Sequence, residues 1–150
     1  QAQWLEQQLE AYAAVPVRLA TYHVPMFPGF HMPDNRYSKA GREHWQPLFD
    51  TYGLMAAFEN HDHVLKRTHP VRGSHVDPQG TIYLGDGAFG RGPRVVDGPR
   101  QIHLHRRWYL DRLESQGHVW RVDIEADSVL FAAIDRDGRV IDRTARPITP

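Results

Sequence analysis

Apolar and polar positions alternate with three different rhythms along this chain. Trp4, Leu5, Leu9 and Tyr12 recur at helical spacing among Gln and Glu, which predicts an amphipathic helix over residues 1–13. Pro16 blocks its continuation, and the β-branched, apolar stretch from Val15 to Tyr22 reads as a strand. Residues 29–41 carry Gly, Pro, Asp, Asn and Ser and read as a long loop. A short helix is expected over 42–52, with Trp45, Leu48, Phe49 and Tyr52 on one face, Pro47 in its first turn or at a kink, and Gly53 as its stop. The run Leu54-Met55-Ala56-Ala57-Phe58 reads as a buried strand, Val64 to Val71 as extended chain, and Thr81-Ile82-Tyr83-Leu84 as a further strand. Residues 102–116 are compatible with a helix or with a strand followed by a helix. Towards the end, the alternation of His118–Ile124, the apolar Ser128–Ile134 and the short Arg139–Asp142, with a tight turn at Asp135–Arg139, predict an antiparallel meander. No internal repeat or linker divides the chain, so residues 1–150 are expected to form a single domain.

The rhythms place histidines at strand ends. His61 and His63 follow the Leu54–Phe58 strand, and His23 follows the Val15–Tyr22 strand. Ligand sites of open α/β sheets lie beyond the carboxyl ends of strands. Residues two apart in extended backbone point the same way, so His61 and His63 are expected to face one pocket. Imidazole is a donor suited to Zn, Fe, Cu or Ni. A polar loop without chemistry is the other reading of the same spacing. His103 and His105 form a second His-x-His pair, but no apolar strand feeds it into a loop, and it is read as surface. The glycine-rich segment Gly85–Gly92 is either an anion-binding backbone turn or a sharp bend beside a site; it lacks the Lys-Ser/Thr ending of a P-loop.

Composition narrows the chemistry further. Absence of cysteine excludes disulfides, thiolate metal sites and cysteine nucleophiles. A formal net charge of +0 gives no sign of a nucleic-acid partner, and no apolar run approaches the length of a membrane span. The compartment stays open. The chain begins at Gln1 within a helical pattern, so it is expected to be a piece of a longer protein.

Three segments taken together carry a resemblance: His23-Val24-Pro25-Met26-Phe27-Pro28, then Asn60-His61-Asp62-His63-Val64-Leu65-Lys66-Arg67-Thr68, then Gly80-Thr81-Ile82-Tyr83-Leu84-Gly85-Asp86-Gly87. In kind and order they resemble the C-terminal half of calcineurin-like metallophosphoesterases, and most closely the purple acid phosphatase-like branch. The resemblance covers nearly the whole chain. It implies an α/β fold, part of a four-layer α/β/β/α sandwich with a mixed sheet and the antiparallel C-terminal meander. It implies that His23 and His61 ligate one metal, that His63 ligates the second, and that His31 lies near substrate and protonates the leaving oxygen. Arg67 matches the family's arginine after the histidine pair and is expected to be structural.

The implied cofactors are two divalent or trivalent ions (Zn, Mn or Fe), and the implied partners are a phosphate ester and the missing N-terminal half of the same domain. The implied reaction is phosphoric ester hydrolysis by a metal-bound hydroxide in the intact parent, with the piece alone inactive. Asn60 stands where the family has glycine and is expected to take the left-handed backbone there. Val64-Leu65-Lys66 replaces its aromatic-acidic pair. The family's first-half motifs, including the bridging carboxylate, are absent from residues 1–150. Two other classes stay open: a mononuclear zinc site on His23, His61 and His63, and a non-enzymatic half-domain that associates with a partner chain or with itself through exposed strand edges. A cupin-type barrel lacks its glutamate, because Lys66 and Arg67 stand there.

Overall fold

The computed structural model describes residues 1–85, 87–96 and 107–148. Asp86, His103 and His105 therefore lie outside the described residues. Helix α1 spans Ala2–Ala11 and is followed by strand β1, Leu19–Tyr22. Two helices come next, α2 at Arg36–His44 and α3 at Gln46–Tyr52. The remaining strands are β2 (Ala56–Glu59), β3 (Leu65–Thr68), β4 (Val71–Arg72), β5 (His75–Val76), β6 (Ile82–Gly85), β7 (Leu110–Glu114), β8 (Val119–Ile124), β9 (Ser128–Ile134) and β10 (Val140–Pro147).

A five-stranded mixed sheet runs in the order β1-β2-β6-β3-β7. β1, β2 and β6 are parallel, with Tyr22 opposite Glu59 and Glu59 opposite Gly85. β3 is antiparallel to both β6 and β7. A three-stranded antiparallel sheet, β10-β9-β8, packs against one face of it, and β4-β5 form a short ribbon.

Successive residues of the central strands alternate between two cores, as the period-two geometry of a strand requires. Ala57 and Tyr83 face the helices and join Leu9, Phe49, Met26 and Phe27. Ala56, Ile82 and Leu84 face the other way and join Val129 and Phe131 of the antiparallel sheet. The layers among the described residues are thus helices, mixed sheet and antiparallel sheet. The class is α/β with a mixed sheet and an antiparallel meander, as expected. The expected fourth layer is not among the described residues.

Several boundaries differ from the sequence expectation. α2 begins within the segment 29–41 expected to be loop and ends inside the stretch expected to be helix. Asn35 starts it, its Oδ1 accepting from the N–H groups of Tyr37 (3.1 Å) and Ser38 (3.0 Å). That side chain satisfies backbone donors that a helix start leaves unpaired. Pro47 lies in the first turn of α3, where its missing N–H costs nothing, and Gly53 ends the helix at φ 62°. Segment 110–114 is a strand, β7, where a helix was one expectation: Leu113 and Arg112 pair with Lys66 and Arg67 of β3. β10 runs on to Pro147, well past the expected end at Asp142, because all seven residues of β9 find partners on it.

Candidate functional site

The parallel pairing of β1 with β2 decides where the histidines meet. Their last residues, Tyr22 and Glu59, are level, so the chain after each strand opens at the same end of the sheet. Asn60 fastens the two ends: its N–H and its side-chain Nδ2 both donate to the Tyr22 carbonyl, at 3.3 and 2.8 Å. His23 and His61 then come together, with His61 Nδ1 and His23 Nε2 sharing a hydrogen bond of 2.9 Å. The His31 ring stacks on His61 with centroids 4.7 Å apart and planes 27° apart. Three of the four predicted site residues therefore form one file of rings. His63 makes no ring contact with the other three. Its backbone carbonyl accepts from the Arg94 N–H at 2.9 Å, and a Cβ on Gly87 would lie 3.2 Å from its Cδ2.

The loop is not extended, and this corrects the expected alternation. His61 and His63 have φ of 63° and 52°, in the left-handed region. Asp62 N donates to the Asn60 carbonyl at 2.6 Å, closing a three-residue turn about His61. With positive φ at its centre this is the rarer, strained hand of such a turn. Asn60, expected to take the left-handed backbone, does not; its side chain serves as the clasp to Tyr22 instead.

Two carboxylates organise the site, and the sequence reading passed over both. Asp62 is buried and accepts from Gly29 N at 2.7 Å and Phe30 N at 2.9 Å through one oxygen. Its other oxygen meets His31 Nδ1 at 2.5 Å, so the Nε2 edge of that ring is the one left to the site. Burial raises the Asp62 pKa, but bonding from His31, the Lys66 charge and the Phe30 N–H outweigh it, and the group stays below its ordinary value. Arg107, also buried, reinforces the loop by donating to the carbonyls of Phe30 (3.0 Å) and His31 (3.3 Å).

Glu59, fully buried at the end of β2, holds the loop after His23. Its Oε1 accepts from the Tyr22 hydroxyl (2.7 Å), Met26 N (2.7 Å) and Phe27 N (3.4 Å). Its Oε2 is ion-paired with the equally buried Lys66, whose Nζ also donates to the Phe27 carbonyl at 2.7 Å. A signal for both was present: an acid closing an apolar strand, and a lysine directly after the apolar pair Val64–Leu65. Charges in such places are almost always paired.

The imidazoles of His61 and His63 are biased towards the neutral form. Burial lowers the His61 pKa first, and the neighbouring His31 and His23 lower it further. Burial also lowers that of His63, helped by the charges of Arg94 and Arg91. Neutral imidazole is the form that ligates metals.

The fit to a metal can be judged from the donors. Two nitrogens on one tetrahedral ion at the usual Zn–N length stand about 3.4 Å apart. The His23–His61 separation of 2.9 Å needs only a small spreading to reach that. Asp62, however, is turned inward with both oxygens engaged. Among the described residues no three His, Asp or Glu side chains are grouped to hold a metal ion. The described residues supply a pair of imidazoles suited to one flank of a metal and not a complete set. Arg67 is ion-paired with Asp111 and with Asp142 (2.8 Å), tying β3 to β7 and β10 away from the imidazoles.

The fold itself defines a class. No family model matches the chain, and no curated protein matches it. Solved structures do. The chain is similar to GAP50, described as the anchor in the inner membrane complex of Plasmodium, with a TM-score of 0.77 and 12% identity over 99% of this chain and 42% of that one. It is also similar to the purple acid phosphatase PPD1 isolated from yellow lupin (Lupinus luteus) seeds, with a TM-score of 0.75 and 17% identity over 95% of this chain and 27% of that one. The chain thus has a purple acid phosphatase-like fold, and it spans less than half the length of either structure.

Proposed function

We propose that this chain belongs to a metal-dependent phosphoesterase and forms the C-terminal half of its catalytic domain. The observation that carries the reading is the meeting of His23, His31 and His61 at the carboxyl ends of β1 and β2. In this reading His23 and His61 contribute to one metal and His63 to a second, and donors outside residues 1–150 complete both. Metal ions there would supply Lewis-acid polarisation of a phosphoryl group. The chain's own residues do the rest. Glu59 and Asn60 fix the loops that carry the imidazoles. Asp62 holds His31 by Nδ1 and leaves Nε2 directed to the site, where a protonated ring would give its proton to the leaving oxygen.

The chain alone is expected to be inactive, because the donors among the described residues do not make a full metal set. An assay with an aryl phosphate and added Zn, Mn or Fe tests this; robust turnover by residues 1–150 would overturn the half-domain claim. Loss of zinc binding in His61→Ala, measured by calorimetry, is the expected result for the metal claim. Unchanged zinc binding in both His61→Ala and His23→Ala would refute it.

Two observations favour a second reading, a non-enzymatic module. Among the described residues no three-donor group exists, and one similar structure is described as an anchor. Failure of the chain to take up any of the three metals, joined to self-association in sedimentation, would support that reading over the first.

A further inference from the structure

Beside the imidazoles lies a pair of arginines for which the hydrolase reading has no use. Arg94 places its guanidinium over the Phe30 ring, 4.8 Å from the centroid. The Phe30 ring touches the His31 ring at 5.4 Å, and His31 in turn stacks on His61. The order Arg94, Phe30, His31, His61, His23 is therefore a continuous strip. The backbone N–H of Arg94 is bonded to the His63 carbonyl, which brings the root of its side chain to the same rim. Arg91 stands three residues before Arg94 in the same loop and is exposed.

Neither guanidinium is paired with a carboxylate among the described residues. Asp62, the carboxylate of the imidazole site, is buried and committed to Gly29, Phe30 and His31; Asp86 and Asp97, nearer in the sequence, lie outside the described residues. A guanidinium held over an aromatic face keeps the N–H groups along its edge for in-plane bonding, the geometry that matches phosphate oxygens. The neighbouring imidazoles bring no negative charge to the strip.

We propose that Arg94, with Arg91, forms an anion-binding subsite that takes a phosphate group without help from a metal. The subsite stands on its own observations and does not rest on the metal reading. Combined with that reading, it serves a second anionic group on the ester, since the reacting phosphoryl group belongs at the imidazoles.

The test is an NMR titration of the 150-residue chain with inorganic phosphate at neutral pH, low salt and excess EDTA. Saturable shifts at Arg94, Phe30 and His63 are expected. Arg94→Gln should weaken the affinity about tenfold, as removal of a charge-assisted contact does. Raised salt should weaken it too, because the site is partly exposed. Absence of saturable shifts, or equal affinity in folded Arg94→Gln and Arg91→Gln, overturns the proposal. Should Arg94→Gln fail to fold, Arg94→Lys keeps the charge and loses the planar fork; unchanged affinity in it and in Arg91→Gln overturns the proposal equally. A parallel zinc titration without EDTA separates the two readings. Phosphate binding only in the presence of zinc removes the subsite and leaves the metal reading standing. Phosphate binding in EDTA that persists whether or not zinc is taken up supports the subsite and leaves the metal reading to its own test.

Discussion

His61 and His63 hold φ angles of 63° and 52° that most side chains avoid, and each costs on the order of 1–3 kcal/mol. Histidine tolerates this region better than branched residues do, which makes the pattern His-Asp-His affordable here. Asp62, between them, offsets part of the cost with two backbone N–H bonds and the bond to His31. Asp62→Asn should keep the shape and change the chemistry. Its amide oxygen would remain with the two N–H donors, and its NH2 would face His31 Nδ1 and force that nitrogen to accept. The expected outcome is a switch of His31 from the Nδ1–H to the Nε2–H tautomer, read by imidazole 15N shifts, with a loss of about 1–3 kcal/mol. An unchanged tautomer would show that Asp62 does not orient the ring. His23, His61 and His63 were legible as candidates from residue type and position at strand ends, and His31 only through the resemblance. Asp62 was not, because a carboxylate in a polar loop gives no sign that the loop folds back to bury it.

At the scale of elements, the tie between β2, β3 and the loop after β1 is the buried pair of Glu59 and Lys66. Removing one partner strands the other in a medium that solvates charge poorly. Lys66→Met should therefore cost about 3–5 kcal/mol in urea denaturation, and Glu59→Gln combined with Lys66→Met appreciably less. Additive losses would argue against a coupled pair. α2 shows why some elements escaped the pattern. Only Ser38 of its nine residues is buried, so the hydrophobic rhythm that betrays α1 is missing. Its start is written instead in Asn35. Asn35→Ala should lower stability by about 1 kcal/mol, measured by thermal denaturation, and a neutral result would deny the cap its role. β7 was hard to read for another reason: its residues are mostly half-buried, and its identity comes from pairing with a distant β3.

For the whole molecule, one ionic knot spans three strands of two sheets. Asp142 on β10 receives Arg67 from β3 and Arg112 from β7, at 2.8 and 3.2 Å. Burial raises its pKa, but the Arg67 bond and charge dominate, and the net shift is downward. A carboxylate whose folded pKa lies below the unfolded one stabilises the fold above the unfolded value of about 3.9. That contribution is lost as pH falls through the depressed folded value. Unfolding free energies followed from neutral pH down to acid should drop across this window, and Asp142→Asn should flatten the drop. An equal drop in the variant would assign the acid sensitivity elsewhere. The two-layered core was readable in outline, since β2, β6 and β9 are near-continuous apolar runs. Which sheet each strand joins was not, because a buried run looks alike in either.

The parallel neighbours β1 and β2 have a kinetic corollary. No hairpin can join them, and the chain must travel through α2 and α3 before Tyr22 finds Glu59. Encounters between residues so far apart along a polymer pay their loop-closure entropy before any contact rewards them. The imidazole file is therefore assembled late, after the local hairpin of β9 and β10, and an interrupted refolding reaction would yield a chain with its meander formed and its histidines still apart.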